Sequence, residues 1–321
     1  MSMAIVASEP GGIEVLKWKN VEVPDPQENE VKISHTAIGV NFIDTYHRTG
    51  RYPGMTYPSI LGVEGAGKIT KIGNKITNFS VGDRVCYPLS VGSYCEERTI
   101  NENILIKIPD NVSDADAAAG ITKGITVHHL FNESRKILKD DWILFHAAAG
   151  GVGLIACQWA KAKGFNLIGT VSNIQKKELA IKNGATNIIN YTEENFAEKV
   201  LEITKQKGVI AAYDGIGGDS PRNSIKCLST FGTLCTFGAA SGPSNLTIDD
   251  IPASVQYTKG SIATLIQNRK KLNESSVEFL KLLSNQDIRI QIGQTYELKD
   301  AMRAHIDLEN RKTTGSIILK P

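Results

Sequence analysis

Between Trp142 and Phe237, short apolar runs recur about every twenty residues, with helical periodicity in the stretches between them. The runs are 142–145 (Trp-Ile-Leu-Phe), 166–171, 187–190, 208–213 and 232–237. Amphipathic stretches at 154–163 and 196–206 lie between some of them. Alternating β and α units of this length build a parallel sheet with helices on both faces, so the middle of the chain is expected to be a doubly wound α/β domain.

The flanks read differently. Up to about residue 111, short strands broken by turns, with alternating stretches at 31–34 and 68–72 and a turn and strand entry at 81–85, suit a compact, mostly antiparallel, barrel-like domain. From Ser113 the chain becomes Ala-rich and helical, at 114–120 and again at 126–131. At the far end, 269–285 has the pattern of a long helix and 315–320 that of a last strand, expected to return to the first domain. The α/β unit is then an insert. The expected division is 1–119 with 265–321, and 120–264; a chain of 321 residues is too long for one ordinary core.

Composition narrows the function classes. Hydrophobic residues make up 41% and charged residues 22%, as in a soluble globular protein. The 36 basic and 34 acidic residues leave a net charge of +2 with no dense basic run, so there is no electrostatic footprint for nucleic acid. No apolar stretch is long enough to span a bilayer. The start, Met1 to Val6, lacks a signal-peptide pattern, and the cytoplasm is expected. The five cysteines form no C-x-x-C pair, which argues against both a zinc knot and a disulfide framework.

One turn carries chemistry. After the strand at 142–145 comes Ala147-Ala148-Ala149-Gly150-Gly151-Val152-Gly153, then a helix. This fits a dinucleotide fingerprint with Ala148 in place of the first glycine. Gly150 lets the backbone approach a pyrophosphate, and Gly153 lets helix pack on strand. N–H groups at the helix start meet the phosphate charge. At the end of the next strand, Thr170-Val171-Ser172-Asn173 has no carboxylate to accept from a ribose 2′-hydroxyl, while Lys176 and Lys177 follow. A hydroxyl and an ammonium suit a 2′-phosphate instead, so NADPH is the expected cofactor.

The chain also resembles the quinone oxidoreductases of zeta-crystallin type, in the medium-chain dehydrogenase/reductase superfamily. The similarity rests on residues 37–46 (AIGVNFIDTY), Gly82-Asp83-Arg84-Val85, Lys123-Gly124-Ile125-Thr126 and the run 145–163 (FHAAAGGVGLIACQWAKAK), and it extends almost end to end. The resemblance implies a Rossmann sheet inserted in a GroES-like barrel domain, NADPH-dependent reduction of quinones, and a homodimer paired through the edge of the Rossmann sheet. It implies that Asn41, Phe42, Ile43, Asp44, Thr45 and Tyr46 line the nicotinamide side, with Thr126 near the cofactor. Ala149, Gly150, Gly151, Val152 and Gly153 would take the pyrophosphate. Ser172, Asn173, Lys176 and Tyr191 would surround the adenosine 2′-phosphate. Ile216, Gly238, Ala239, Ala240, Ser241, Gly260, Ser261, Ile262 and Arg311 would approach from later loops. Residues 243–267 depart most from the family pattern.

Zinc-dependent members of the superfamily use a cysteine and a His-Glu pair; here Asn41 and Gly62-Val63-Glu64 stand at those places, and Val63 cannot ligate. The four-cysteine lobe is absent as well. No metal is expected, and each of the six histidines is expected in a packed or surface role. Without a Lewis acid, an electron-poor acceptor such as a quinone fits better than an alcohol. Asn41, Tyr46 and Tyr52 are the candidates for positioning it and donating to its developing oxyanion. For Tyr52, packing as a loop aromatic is an equal reading, and Asp44 is read as a structural acceptor. The alternatives are a reductase of alkenal or enone double bonds and, from another class, a crystallin-like or RNA-binding NADPH-binding protein.

Overall fold

Strand and helix patterns sort the chain into two compact units, 1–123 with 263–321 and 124–262; the computed structural model describes residues 1–52 and 55–321. In the first unit, β1 (Ser2–Ala7) pairs antiparallel with β2 (Leu16–Val21). Then come β3 (Glu30–Val40), α1 (Phe42–Arg48), β4 (Ser59–Ile60), β5 (Glu64–Ile72), β6 (Arg84–Tyr87), β7 (Glu97–Asn101), β8 (Ile106–Lys107) and α2 (Asp114–His128). Alternation along β3 and β5 buries Val31, Ile33 and Ile69 with Val85, Tyr87 and Leu105.

The helix α2 is continuous where the sequence pattern suggests two helices. Residues 121–125 are buried on every side, so no polar face marks the helical period there. It runs on into one wide turn, His129–Ser134.

The second unit is built from β9 (Trp142–Phe145), α3 (Gly151–Lys163), β10 (Asn166–Val171), α4 (Ile174–Lys182), β11 (Asn187–Asn190), α5 (Phe196–Ile203), β12 (Val209–Asp214), α6 (Ser220–Ile225), β13 (Leu228–Thr236) and β14 (Gln256–Lys259). The strands pair in the order β11-β10-β9-β12-β13-β14, all parallel. Counted within the unit this is 3-2-1-4-5-6, the doubly wound dinucleotide-binding order. Central strands β9 and β12 are almost wholly buried, as a sheet covered on both faces requires. Helix α5 stops at Ile203, short of the expected residue 206, because Lys205 and Gln206 have left-handed backbone (φ 51° and 63°). A sixth strand, β14, joins the five that the sequence pattern marks.

The chain then forms α7 (Ile262–Gln267), α8 (Arg269–Ser284), β15 (Ile292–Glu297), α9 (Ala301–Glu309) and β16 (Ser316–Lys320). Strand β16 pairs antiparallel with β3 and parallel with β15, so the tail completes the first unit's sheet, β15-β16-β3-β5-β6-β8 with β7 on β3. The α/β unit is an insert in the chain.

Candidate functional site

Because the six strands of the second unit are parallel, their carboxyl ends share one edge, and in this topology ligands bind outside that edge. A predicted site segment follows every one. Ala149–Gly153 follows β9, Ser172 and Asn173 follow β10, Tyr191 follows β11 and Ile216 follows β12. Gly238–Ser241 follows β13, and Gly260–Ile262 follows β14. Thr126 is not brought there by a strand; it sits half-buried on α2.

The turn after β9 is tightly made. Ala147 takes a left-handed φ of 53°, and its carbonyl accepts from Gly150 N–H at 2.9 Å. The first helical bond of α3 is Leu154 N–H to the Gly150 carbonyl, 2.9 Å. Before it, the N–H groups of Gly151, Val152 and Gly153 have no acceptor within the helix. A Cβ on Gly153 would lie 2.6 Å from Ala148 Cα and against the Ala147 carbonyl, so helix and turn meet with no room for a side chain. At Gly150 a Cβ would meet only the Ala147 oxygen, at 3.2 Å, which leaves that side of the backbone open to a ligand.

His146, at the base of the turn, is buried and packed, as expected. Ser224 donates its hydroxyl to the Ser220 carbonyl, so it accepts from His146 Nε2–H at 2.8 Å, and His146 Nδ1 accepts from the Thr170 hydroxyl at 2.9 Å. The ring is thus the neutral Nε2–H form, and burial holds its pKa below the usual histidine value. It ties the ends of β9, β10 and α6 together.

Beyond β10, Asn173 caps α4: its side-chain oxygen accepts Lys176 N–H at 2.9 Å. Ser172, Asn173, Lys176 and Lys177 are half-buried, and Tyr191 is exposed. After β12, buried Asp214 accepts the N–H groups of Ile216 and Gly217 at 2.8 and 2.9 Å, fixing that loop. Ala240 and Ser241 donate backbone N–H to Gly215 and Ile216, so the loops after β12 and β13 are one framework. Ser261 is exposed and Ile262 buried.

In the first unit, the segment 41–46 is the start of α1. Asp44 accepts Asn41 N–H at 2.8 Å, closing the helix start, and the Tyr94 hydroxyl at 2.8 Å. Asp44 is fully buried, so its carboxylate serves the helix. Phe42 and Ile43 are half-buried, and Thr45 bonds to the Phe42 carbonyl. The Tyr46 and Tyr52 rings stack with centroids 5.7 Å apart, and Arg51 lies over Tyr46. Tyr52 thus packs on Tyr46 and keeps its remaining surface exposed. Arg311, exposed with φ 58°, follows α9.

Sequence reasoning missed what lies behind Asn41. Its side-chain N–H donates to Glu64 Oε1 at 2.6 Å, and the same oxygen accepts from Lys123 Nζ at 2.8 Å. Glu64 Oε2 accepts Thr122 N–H at 2.9 Å. Glu64 and Lys123 are both buried, and so is the apolar Val63. Among the described residues, no group of three His, Cys, Asp or Glu side chains converges as a metal site. A groove of about 590 Å³ elsewhere in this unit is lined by Arg98 and Arg269, but both guanidinium groups are spent on backbone carbonyls.

Comparison with known proteins agrees with this architecture. Residues 27–128 match the family model "Alcohol dehydrogenase GroES-like domain", and residues 151–281 match "Zinc-binding dehydrogenase". A quinone oxidoreductase of Pseudomonas aeruginosa is 43% identical over 315 residues, covering 97% of each chain. The chain belongs to the quinone oxidoreductase family. It is thus an oxidoreductase of the medium-chain dehydrogenase/reductase superfamily, with a Rossmann sheet inserted in a GroES-like domain. Among quinone oxidoreductases of known structure, that of Escherichia coli, solved with NADPH, superposes with a TM-score of 0.96 at 41% identity. The match covers 99% of this chain and 100% of that one. A 2-haloacrylate reductase from Burkholderia is 36% identical over 100% of this chain and 99% of its own.

Proposed function

We propose that this quinone oxidoreductase reduces quinones with NADPH, by hydride transfer and without zinc. The observation that carries the cofactor is the end of β10. Ser172 and Asn173 stand where NAD would need a carboxylate, and Lys176 follows in the first turn of α4. The relative from Escherichia coli solved with NADPH supports the same reading.

The residues present fit that group. The open backbone at Gly150 and the N–H groups of 151–153 suit a pyrophosphate. Ala149 completes that turn. Ser172, Asn173, Lys176 and Tyr191 would hold the 2′-phosphate and adenosine. Thr126, Ile216, Gly238, Ala239, Ala240, Ser241, Gly260, Ser261, Ile262 and Arg311 are proposed as further contacts. When bound, NADPH supplies the hydride.

The chain's own task is to orient the acceptor, exclude water and donate hydrogen bonds to the oxygen that gains charge. Asn41, Tyr46 and Tyr52 are proposed for this, on the framework of Phe42, Ile43, Asp44 and Thr45. Zinc independence is supported by Val63, which has no ligating atom, and by Glu64, whose two oxygens are taken up by Asn41, Lys123 and Thr122.

A second reading, reduction of activated carbon–carbon double bonds, is favoured by the 2-haloacrylate reductase relative. Steady-state assays with 1,4-benzoquinone, 9,10-phenanthrenequinone and 2-alkenals separate the two. After dialysis against a chelator, a higher kcat/KM is expected for the quinones. Better turnover of alkenals would replace the quinone reading, and activity restored only by zinc would overturn zinc independence.

A further inference from the structure

The pairing of β3 with β5 sets Gly39 opposite Glu64, two residues before Asn41. A Cβ at Gly39 would overlap Glu64 Oε1 and the Ala118 carbonyl, so the absent side chain makes room for the carboxylate. Glu64 is 0% exposed and Lys123 5% exposed, and their charged atoms are 2.8 Å apart. Burying such a pair carries a large desolvation cost before any attraction is counted, and apolar residues of similar size often fold as well or better. Stability alone therefore does not explain it.

The third partner suggests what does. Asn41 is an amide, with an acceptor at one end and donors at the other. A carboxylate only accepts, so Glu64 can hold only the NH₂ end, here at 2.6 Å. That fixes which way the Asn41 oxygen and its second N–H point. Lys123 offsets the carboxylate's charge, which would otherwise oppose negative charge building on a reduced acceptor nearby.

We propose that Glu64 and Lys123 are positioning residues that lock the Asn41 amide in the one orientation that serves the acceptor. This rests on the reading of Asn41 as an acceptor-facing group of a quinone reductase. It adds a pair, joined across 59 residues of chain, whose task is orientation.

The test compares two variants with the wild type. In the double variant Glu64→Gln/Lys123→Met, both charges leave together and neither remains buried alone. The amide that replaces the Glu64 carboxylate can present either of its ends to Asn41, so the lock is lost. A misplacement of about 1 Å in a reacting arrangement can cost about a hundredfold in rate. A fall of about that size in kcat with quinones is expected, with the Kd for NADPH unchanged. A wild-type kcat in the double variant would overturn the proposal.

The second variant, Asn41→Asp, places a carboxyl group against Glu64, with Lys123 and Asp44 as the other titratable neighbours. As an acid it can still donate to Glu64; as an anion it cannot. Its kcat is expected to survive at low pH and fall as pH rises, and a profile parallel to the wild type would overturn the proposal even if the double variant does not fold. Wild-type enzyme that reduces no quinone would remove the underlying reading, and this inference with it. Wild-type turnover with unaffected variants would remove the inference alone.

Discussion

Asp44 shows how far one residue's environment can depart from its sequence. It was legible as a structural acceptor, but its helix start and its partners were not, because Tyr94 and His305 come from other parts of the chain. Arg48 can only donate, so His305 accepts through Nδ1 (3.2 Å), and its Nε2–H donates to the Tyr94 oxygen at 3.1 Å. Tyr94 in turn donates to Asp44 Oδ2. The other Asp44 oxygen is buried with no hydrogen-bond partner. Burial pushes the Asp44 pKa up from 3.8 to about 7. The folded state thus holds a proton that the unfolded chain releases near pH 4. Stability from this residue is full below about pH 4, declines as pH rises, and levels off above about pH 7. In Asp44→Asn that decline is absent. Relative to the wild type, the variant should gain thermal stability between about pH 5 and pH 8, read as the difference in Tm. An equal Tm difference at both pH values would show that Asp44 stays ionised throughout.

At the scale of elements, what could be read from sequence was what local periodicity writes. Strand β9, its glycine turn and helix α3 were legible because an apolar run, a Gly-rich turn and an amphipathic stretch follow one another. Strand β14, Gln-Tyr-Thr-Lys, was not. It lies at the sheet edge, largely exposed, where nothing forces alternation. The turn makes a sharp prediction. A methyl at Gly153 must displace backbone, not a flexible side chain. Gly153→Ala should cost about 1–3 kcal/mol in chemical denaturation, the usual cost of overpacking, and weaken NADPH binding. A variant as stable as the wild type would mean that α3 and the turn can part without penalty.

For the molecule as a whole, the insert and the tail's return to the first domain were legible from the strand pattern at 315–320, while its pairing with β3 was not. The buried Glu64–Lys123 pair was not, since nothing near either residue in sequence signals its partner. The Val63 at the expected ligand position was visible, but what Glu64 does instead needed three dimensions. The assignment of NADPH rests on the carboxylate-free end of β10. Its most direct measurement is kcat/KM for NADPH against NADH, with 9,10-phenanthrenequinone as acceptor, in the wild type and in Lys176→Ala. A charge-assisted contact to the 2′-phosphate predicts a preference for NADPH of about 10- to 100-fold that shrinks in the variant. Equal use of the two cofactors by the wild type, or a preference for NADH, would contradict it.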